Sequence, residues 1–244
     1  TAIDKEISGA FKTFDVALKK LTAWIPVSND MLDLGASWLD RYVREILAEA
    51  LWVGMETGVV SGDGLNCPIG MCKDVSSSAS VVGGKYPDQK TVALNELSPE
   101  AIGAIAAQLT KTEAGNNRPL DNLIFVVNPK TYLTKVMPAT TNFVQGKWVN
   151  DVMPIPCTII QSCAVPDDRA IFGLGKRYFM GLGMAKGGKL EFDDSFKFLD
   201  DARTYKIKTY GNGKPLDSNA FRYLDISKLK RFIPTVYTVT PSET

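Results

Sequence analysis

From Ala36 to about Thr57 the chain carries apolar residues at every third or fourth position, and no other stretch limits the possible folds so strongly. Trp38, Tyr42, Ile46, Ala50 and Val53 recur at helical spacing, with Leu39, Val43, Leu47 and Leu51 beside them. Asp40 with Arg44 and Arg41 with Glu45 form i,i+4 pairs on the wetter side. At about 1.5 Å per residue the helix is a rod of roughly 30 Å, a spine for whatever packs around it. Ser28-Asn29-Asp30, after Pro26, supplies the N-cap of a short helix through Leu34 that precedes it. Gly58 offers a C-cap, and Gly62-Asp63-Gly64 makes a turn.

The flanks read as strands. Phe14, Val16 and Leu18 alternate with polar neighbours; Leu21, Ala23, Ile25 and Val27 resume the alternation one residue out of phase. A period of two with a slip near Lys19-Lys20 predicts a long extended arm over residues 11–27 with a bulge or bend. Residues 73–88 are rich in Ser and Gly and read as a mobile loop or linker. An α/β segment follows. Ser98 caps a helix with Pro99 at its first position; Leu123–Val127 is an unbroken apolar strand of the buried kind; Asn128-Pro129 ends it, and a helix from Lys130 to about Met137 follows. Residues 146–152 read as loop, 158–160 and 170–172 as strands. The last third is β-rich: Leu190 and Phe192 alternate, 204–210 alternates sharply, Gly211-Asn212-Gly213 is a turn signal, and 220–226 returns as a strand. Strands on both sides of an α/β block imply an interrupted domain with the middle inserted.

Composition narrows function by exclusion. The 244 residues include no histidine, which removes Ser-His-Asp and Cys-His hydrolases and most transition-metal chemistry. The 28 basic and 27 acidic residues leave a net charge of +1, without the basic excess of a dedicated nucleic-acid binder. No apolar run reaches the roughly 20 residues of a membrane span, and no signal segment opens the chain. The first residue is Thr1, which leads to the expectation that an upstream portion has been removed.

Motifs that could carry chemistry are incomplete. Cys67, Cys72, Cys157 and Cys163 have C-x4-C and C-x5-C spacings, looser than zinc pairs, and read as plain thiols in a reducing cytosol. Residues 183–189, Gly-Met-Ala-Lys-Gly-Gly-Lys, match the first seven positions of a phosphate-binding loop, but Leu190 stands where Ser or Thr should hold magnesium and the sequence continues as strand. Asp193-Asp194 and Asp200-Asp201 are adjacent acids, whose side chains diverge in a strand, and read as solvated loop; Lys228–Arg231 reads as a wet basic surface. Trp38 and Trp52 on the long helix fit either core packing or contact with another subunit. The expectation is of no catalytic residue, no cofactor and no metal.

Taken in order, these elements resemble the major capsid proteins of tailed bacteriophages, the family with the Hong Kong phage-type capsid fold. Three blocks carry the resemblance. The first is Lys20-Leu21 through Ile25-Pro-Val-Ser-Asn-Asp-Met-Leu32, the long helix, Gly62-Asp63-Gly64 and Pro68-Ile-Gly-Met71. The second is Phe125-Val-Val-Asn-Pro129 with Tyr132, Gly146, Pro156, Ser162, Val165-Pro166 and Phe172-Gly173. The third is Arg203–Tyr210, Gly211-Asn-Gly213, Ala220-Phe221 and Leu224. The resemblance implies an α+β subunit: residues 1–27 the returning half of a β-hairpin arm, 28–87 with 184–230 a peripheral domain holding the spine helix at about 36–57, 88–183 an inserted axial α/β domain, and 231–244 a C-terminal tail.

It further implies a major head protein of a tailed phage or prophage, present in the virion after assembly in the host bacterial cytoplasm. Its partners would be copies of itself in pentamers and hexamers of an icosahedral shell around double-stranded DNA, bound without sequence specificity. Scaffolding, portal and decoration proteins would be further partners, and no membrane. Phe14, Val16, Leu18, Trp24, Trp38 and Trp148 are the expected intersubunit contacts. No Asn between Phe196 and Asp201 supports the Lys-Asn crosslink found in some members. The alternatives are an encapsulin-type compartment shell with the same fold and, from another class, a histidine-free enzyme using carboxylates or nucleotide.

Overall fold

The structure is a computed structural model that describes residues 18–33, 36–183 and 189–231. Its elements, in order, are β1 (Lys19–Ser28), α1 (Asn29–Asp33), α2 (Ala36–Ser61), β2 (Val92–Ala93), α3 (Pro99–Leu109), β3 (Leu123–Val127), a helical segment α4 (129–140), β4 (Asn142–Val144), β5 (Lys147–Val149), β6 (Thr158–Gln161), β7 (Arg169–Leu174), β8 (Tyr178–Leu182), β9 (Lys189–Lys197), β10 (Ala202–Pro215) and β11 (Phe221–Asp225). They group into two units. The first holds the described residues up to Met55, Asn66–Pro68 and Met180–Gly213; the second holds Glu56–Leu65, Ile69–Phe179 and the residues from Lys214 on.

In the first unit β1 runs antiparallel to β10 in unbroken register, from Lys19 opposite Gly211 to Ser28 opposite Ala202. No bulge interrupts it at Lys19-Lys20; Phe14 and Val16, the first half of the expected arm, lie outside the described residues. The two-residue period decides which face is buried. Leu21, Ala23, Ile25 and Val27 turn to one side, join Tyr205 and Ile207 of β10, and meet Leu39, Val43, Leu47 and Leu51 of α2 in one apolar cluster. Pro26, which lacks an N–H, is tolerated because β1 is the edge strand, with β10 as its only neighbour among the described residues. The two predicted pairs on α2 form, Arg41 Nε to Glu45 and Arg44 Nε to Asp40, each at 2.9 Å.

The second unit is built on a mixed five-stranded sheet in the order β2-β11-β7-β3-β6. Every residue of β3 is buried, because both faces of the sheet are covered. Leu123, Phe125 and Val127 pack with Ile102, Ile105, Ala106 and Leu109 of α3; Ile124 and Val126 pack with Ile171, Phe221 and Val60 on the other face. Where β7 passes β11 only glycine fits: a Cβ on Gly173 would lie 2.5 Å from the Ala220 carbonyl oxygen. Ser98 caps α3, its Oγ accepting from Ala101 N at 3.1 Å. Asn128 likewise accepts from Lys130 N at 2.9 Å, opening α4. The middle of α4, Tyr132–Val136, is π-helical and leads into Pro138, which cannot donate to the helix ladder.

Several expectations fail for identifiable reasons. α2 continues past Gly58 to Ser61, because burial of Val60 in the second unit's core carries the helix one turn further. Gly211-Asn212-Gly213 does not turn; β10 runs straight through it, and the reversal comes at Leu216–Ala220. Residues 73–88 form an excursion closed at its base rather than a bare linker: Lys73 pairs with Asp88 at 2.5 Å, and Asp74 N donates to Pro87 O at 2.8 Å. Residues 142–149, expected as loop at their C-terminal part, form a hairpin whose turn places Gln145 and Gly146 at φ 49° and 78°. β11, expected beside the long helix's sheet, pairs with β7 and β2 in the second unit.

Candidate assembly surfaces

The long helix α2 divides its apolar residues into two stripes. Leu39, Val43, Leu47 and Leu51 form the buried one, whereas Trp38, Tyr42, Trp52 and Val53 are exposed, Trp38 by 53%. The rings of Trp38 and Tyr42 lie 6.3 Å apart and shelter each other only in part. Two tryptophans and a tyrosine thus lie on an exposed face of the helix, where large apolar side chains gain nothing from water. The sequence left Trp38 and Trp52 open between core and contact, and both are exposed.

On the same unit, Trp24 stands on the β1 face opposite the buried alternation and is 57% exposed. Phe196 of β9 meets it edge-on at 6.2 Å. These two rings and Phe192 border an open groove floored by Thr204, whose Oγ1 is buried with no hydrogen-bond partner among the described residues. Arg203 lies over the Phe192 ring at 5.0 Å and pairs with Asp194 at 2.5 Å. Glu191 pairs with Lys208 at 2.8 Å, which holds its carboxyl below the usual range. Beyond β9, Phe198 and Leu199 are bare, Leu199 by 96%. Sequence reasoning missed Phe192, Phe196, Phe198 and Leu199. The signal available was an apolar series, from Phe192 to Leu199, interrupted by Asp193-Asp194 and closed by Asp200-Asp201, acids that a buried strand would not tolerate.

In the second unit the β4–β5 hairpin carries Phe143 directly opposite Trp148, with ring centroids 4.9 Å apart and Trp148 69% exposed. Leu18, at the start of the described chain, is exposed as well. Of the six residues expected at contacts, Leu18, Trp24, Trp38 and Trp148 are therefore on the surface, and Phe14 and Val16 lie outside the described residues.

Among the described residues the groups singled out for possible chemistry stand apart from one another. The four cysteines are free thiols, and no group of three or more Cys, Asp or Glu among the described residues could hold a metal ion. Burial pushes the Cys72 thiol up to about 12 and that of Cys157 up to about 11, away from nucleophilic reactivity. The phosphate-loop match falls largely outside the described residues, but it joins strand β8 to strand β9, so no helix N-terminus follows it. The paired acids are engaged separately: Asp193 accepts from Ser195, Asp194 from Arg203, Asp200 from Lys197 and Asp201 from Asn29. No helix among the described residues is long and apolar enough to cross a membrane.

The sequence model of the phage capsid family matches residues 1–226. The chain belongs to the phage capsid family. Solved structures of similar fold include the capsid of an empty GTA particle, at 16% identity and TM-score 0.58 over 89% of this chain and 79% of that one. Gordonia phage Cozz is similar at 17% identity and TM-score 0.54, over 88% of this chain and 71% of that one. So is the holo-SrpI encapsulin complex from Synechococcus elongatus PCC 7942, at 14% identity and TM-score 0.55, over 89% and 78%. No curated protein sequence matches. The fold is thus the Hong Kong phage-type capsid fold that the three sequence blocks resemble, and the chain is a major capsid protein, a structural subunit of a phage head.

Proposed function

We propose that copies of this capsid protein build pentamers and hexamers that close into an icosahedral shell around double-stranded DNA, and that the protein has no enzymatic activity. The observation that carries the reading is the family match over residues 1–226 in a chain whose largest exposed side chains are aromatic and apolar. A shell subunit needs several modest, heterologous contacts that close, and separate apolar patches on two units suit that need. In this reading residues 88–183 form the axial domain near capsomer axes, 28–87 with 184–230 form the peripheral domain that holds α2, and residues 1–27 belong to an arm laid on a neighbour. Leu18, Trp24, Trp38 and Trp148, with Phe14 and Val16, are buried between copies. Near-neutral charge suits a wall that encloses DNA without reading it. Assembly takes place in the host cytoplasm, with scaffolding, portal and decoration proteins as further partners.

Electron microscopy of the full-length protein expressed in bacteria tests this. Closed shells, tubes or capsomer rings support it, and shells holding protein cargo in place of DNA would assign it to a compartment of the encapsulin type. A monomer under all assembly conditions, with scaffold and portal supplied, would overturn it. A thermal shift with nucleotides or divalent metals would point instead to an enzyme.

A further inference from the structure

Strand β6 ends the five-stranded sheet of the second unit, with β3 on one side and no strand on the other among the described residues. It pairs with β3 in parallel, from Thr158 opposite Ile124 to Gln161 opposite Val127, and Ser162 N donates to Val127 O at 2.9 Å. Along such a ladder alternate residues turn both backbone groups to the same side. Thr158, Ile160 and Ser162 therefore face β3, while the N–H and C=O of Ile159 and Gln161 face outward. No hydrogen bond among the described residues reaches these outward groups. Open edges are ordinarily guarded by a lysine, a proline or a bulge. Thr158-Ile-Ile-Gln161 has none of these, and Ile160 is 40% exposed beside the open groups.

The β4–β5 hairpin is the complementary fragment. Its strands are three residues each, and hairpins of that size are marginal in water without a third element. The two-residue loop makes Val144 and Lys147 a hydrogen-bonded pair, so the next pair, Phe143 with Trp148, turns its backbone groups outward. Trp148 thus offers one N–H and one C=O on the open side of β5, and no hydrogen bond among the described residues reaches them. One register uses all of these groups. With Trp148 laid parallel beside Ile160, its N–H donates to Ile159 C=O and its C=O accepts from Gln161 N–H. The indole then falls on the same sheet face as Ile160 and covers it.

We propose that β5 of one copy of this chain adds to the β6 edge of the next copy, with Trp148 against Ile160. The inference rests on the shell reading, in which Trp148 is buried between copies, and says where its side chain goes. Main-chain bonds supply the attachment and the Trp148–Ile160 contact sets the register. The strand given and the edge receiving it are different surfaces, so the contact is heterologous, the kind that generates rings.

Disulfide trapping in assembled particles tests this. Ile160→Cys and Trp148→Cys are placed together in a full-length chain whose Cys67, Cys157 and Cys163 are replaced by serine; both positions are exposed. Neighbouring strands lie about 4.8 Å apart, inside the Cα range of about 4.4–6.8 Å that a disulfide spans. Mild oxidation should give a ladder of linked chains on a non-reducing gel, absent from either single-cysteine chain. Gln161→Pro removes an outward N–H and no bond to β3, so it should leave the melting temperature of the subunit nearly unchanged. Its shell yield should fall about tenfold. Unlinked chains in well-formed shells, or a disulfide closed within one chain, would overturn the pairing and leave the shell reading standing. Normal shell yield from Gln161→Pro would do the same. Failure of the unmodified chain to form shells, with scaffold and portal supplied, would overturn the shell reading and the pairing with it. Should the double-cysteine chain form no shells, Gln161→Pro decides alone.

Discussion

At the scale of single residues, burial separates two kinds of apolar side chain on one helix. Leu47 is buried and Trp38 exposed, one stripe apart on α2. Leu47→Ala should cost about 2–5 kcal/mol in chemical denaturation, the usual range for opening a cavity in a packed core. Trp38→Ala should leave the isolated subunit within about 0.5 kcal/mol while lowering shell yield in sedimentation. The spacing alone could not tell the stripes apart, because both recur at helical period; the difference is set by the face the sheet covers. Cysteine chemistry makes a second test. Cys163 is exposed and Cys72 buried, so iodoacetamide should label Cys163 first and Cys72 last. The Cys72 thiol, pushed up to about 12, keeps its proton where the unfolded chain loses it. Its share of stability is therefore intact below the ordinary thiol value of about 8.5 and declines as pH rises from there toward 12. Cys72→Ala should flatten that alkaline slope in urea titrations.

At the scale of elements, legibility followed the locality of the cause. Ser98 and Asn128 cap their helices through contacts two or three residues away; the Ser98 cap was read directly, and Asn128-Pro129 was read as the end of β3 just ahead of the helix it caps. The unbroken apolar run of β3 was equally plain. Gly211-Asn212-Gly213 misled because its reason is a neighbour distant in sequence: a Cβ on Gly211 would lie 3.1 Å from the Gly181 carbonyl oxygen and 3.0 Å from Leu182. The glycine is there for the close approach of β8, and the strand continues. Gly211→Val should push β8 off β10 and destabilise the subunit by about 1–3 kcal/mol, measured by thermal melting. The exposed aromatic residues were half legible. Tryptophans stand out in any sequence, whereas Phe196, Phe198 and Leu199 in a charged stretch are informative only once their exposure is known.

For the whole molecule, the missing histidines have a physical consequence. No side chain has an ordinary pKa between about 5 and 8 when histidine is absent. The carboxyl of Asp225, held down to about 2 by hydrogen bonds from Ser227 and by Arg169, titrates well outside that window. The urea midpoint of the subunit should accordingly be flat between about pH 5.5 and 8. Below that window it should fall, as Asp225 and like groups gain protons that the unfolded chain already holds.

The excursion over residues 73–88 also has a use. Its two ends are clamped by the Lys73–Asp88 pair, while its tip, from Val82 to Lys85, passes through Gly83 and Gly84 at φ 59° and 81°, with Val82 exposed. Lengthening a loop whose ends are already held together costs little, about 0.6 kcal/mol for each doubling. A guest peptide spliced between Gly83 and Gly84 should therefore leave the melting temperature of the subunit nearly unchanged, and each particle would carry one guest for every copy of the chain it contains.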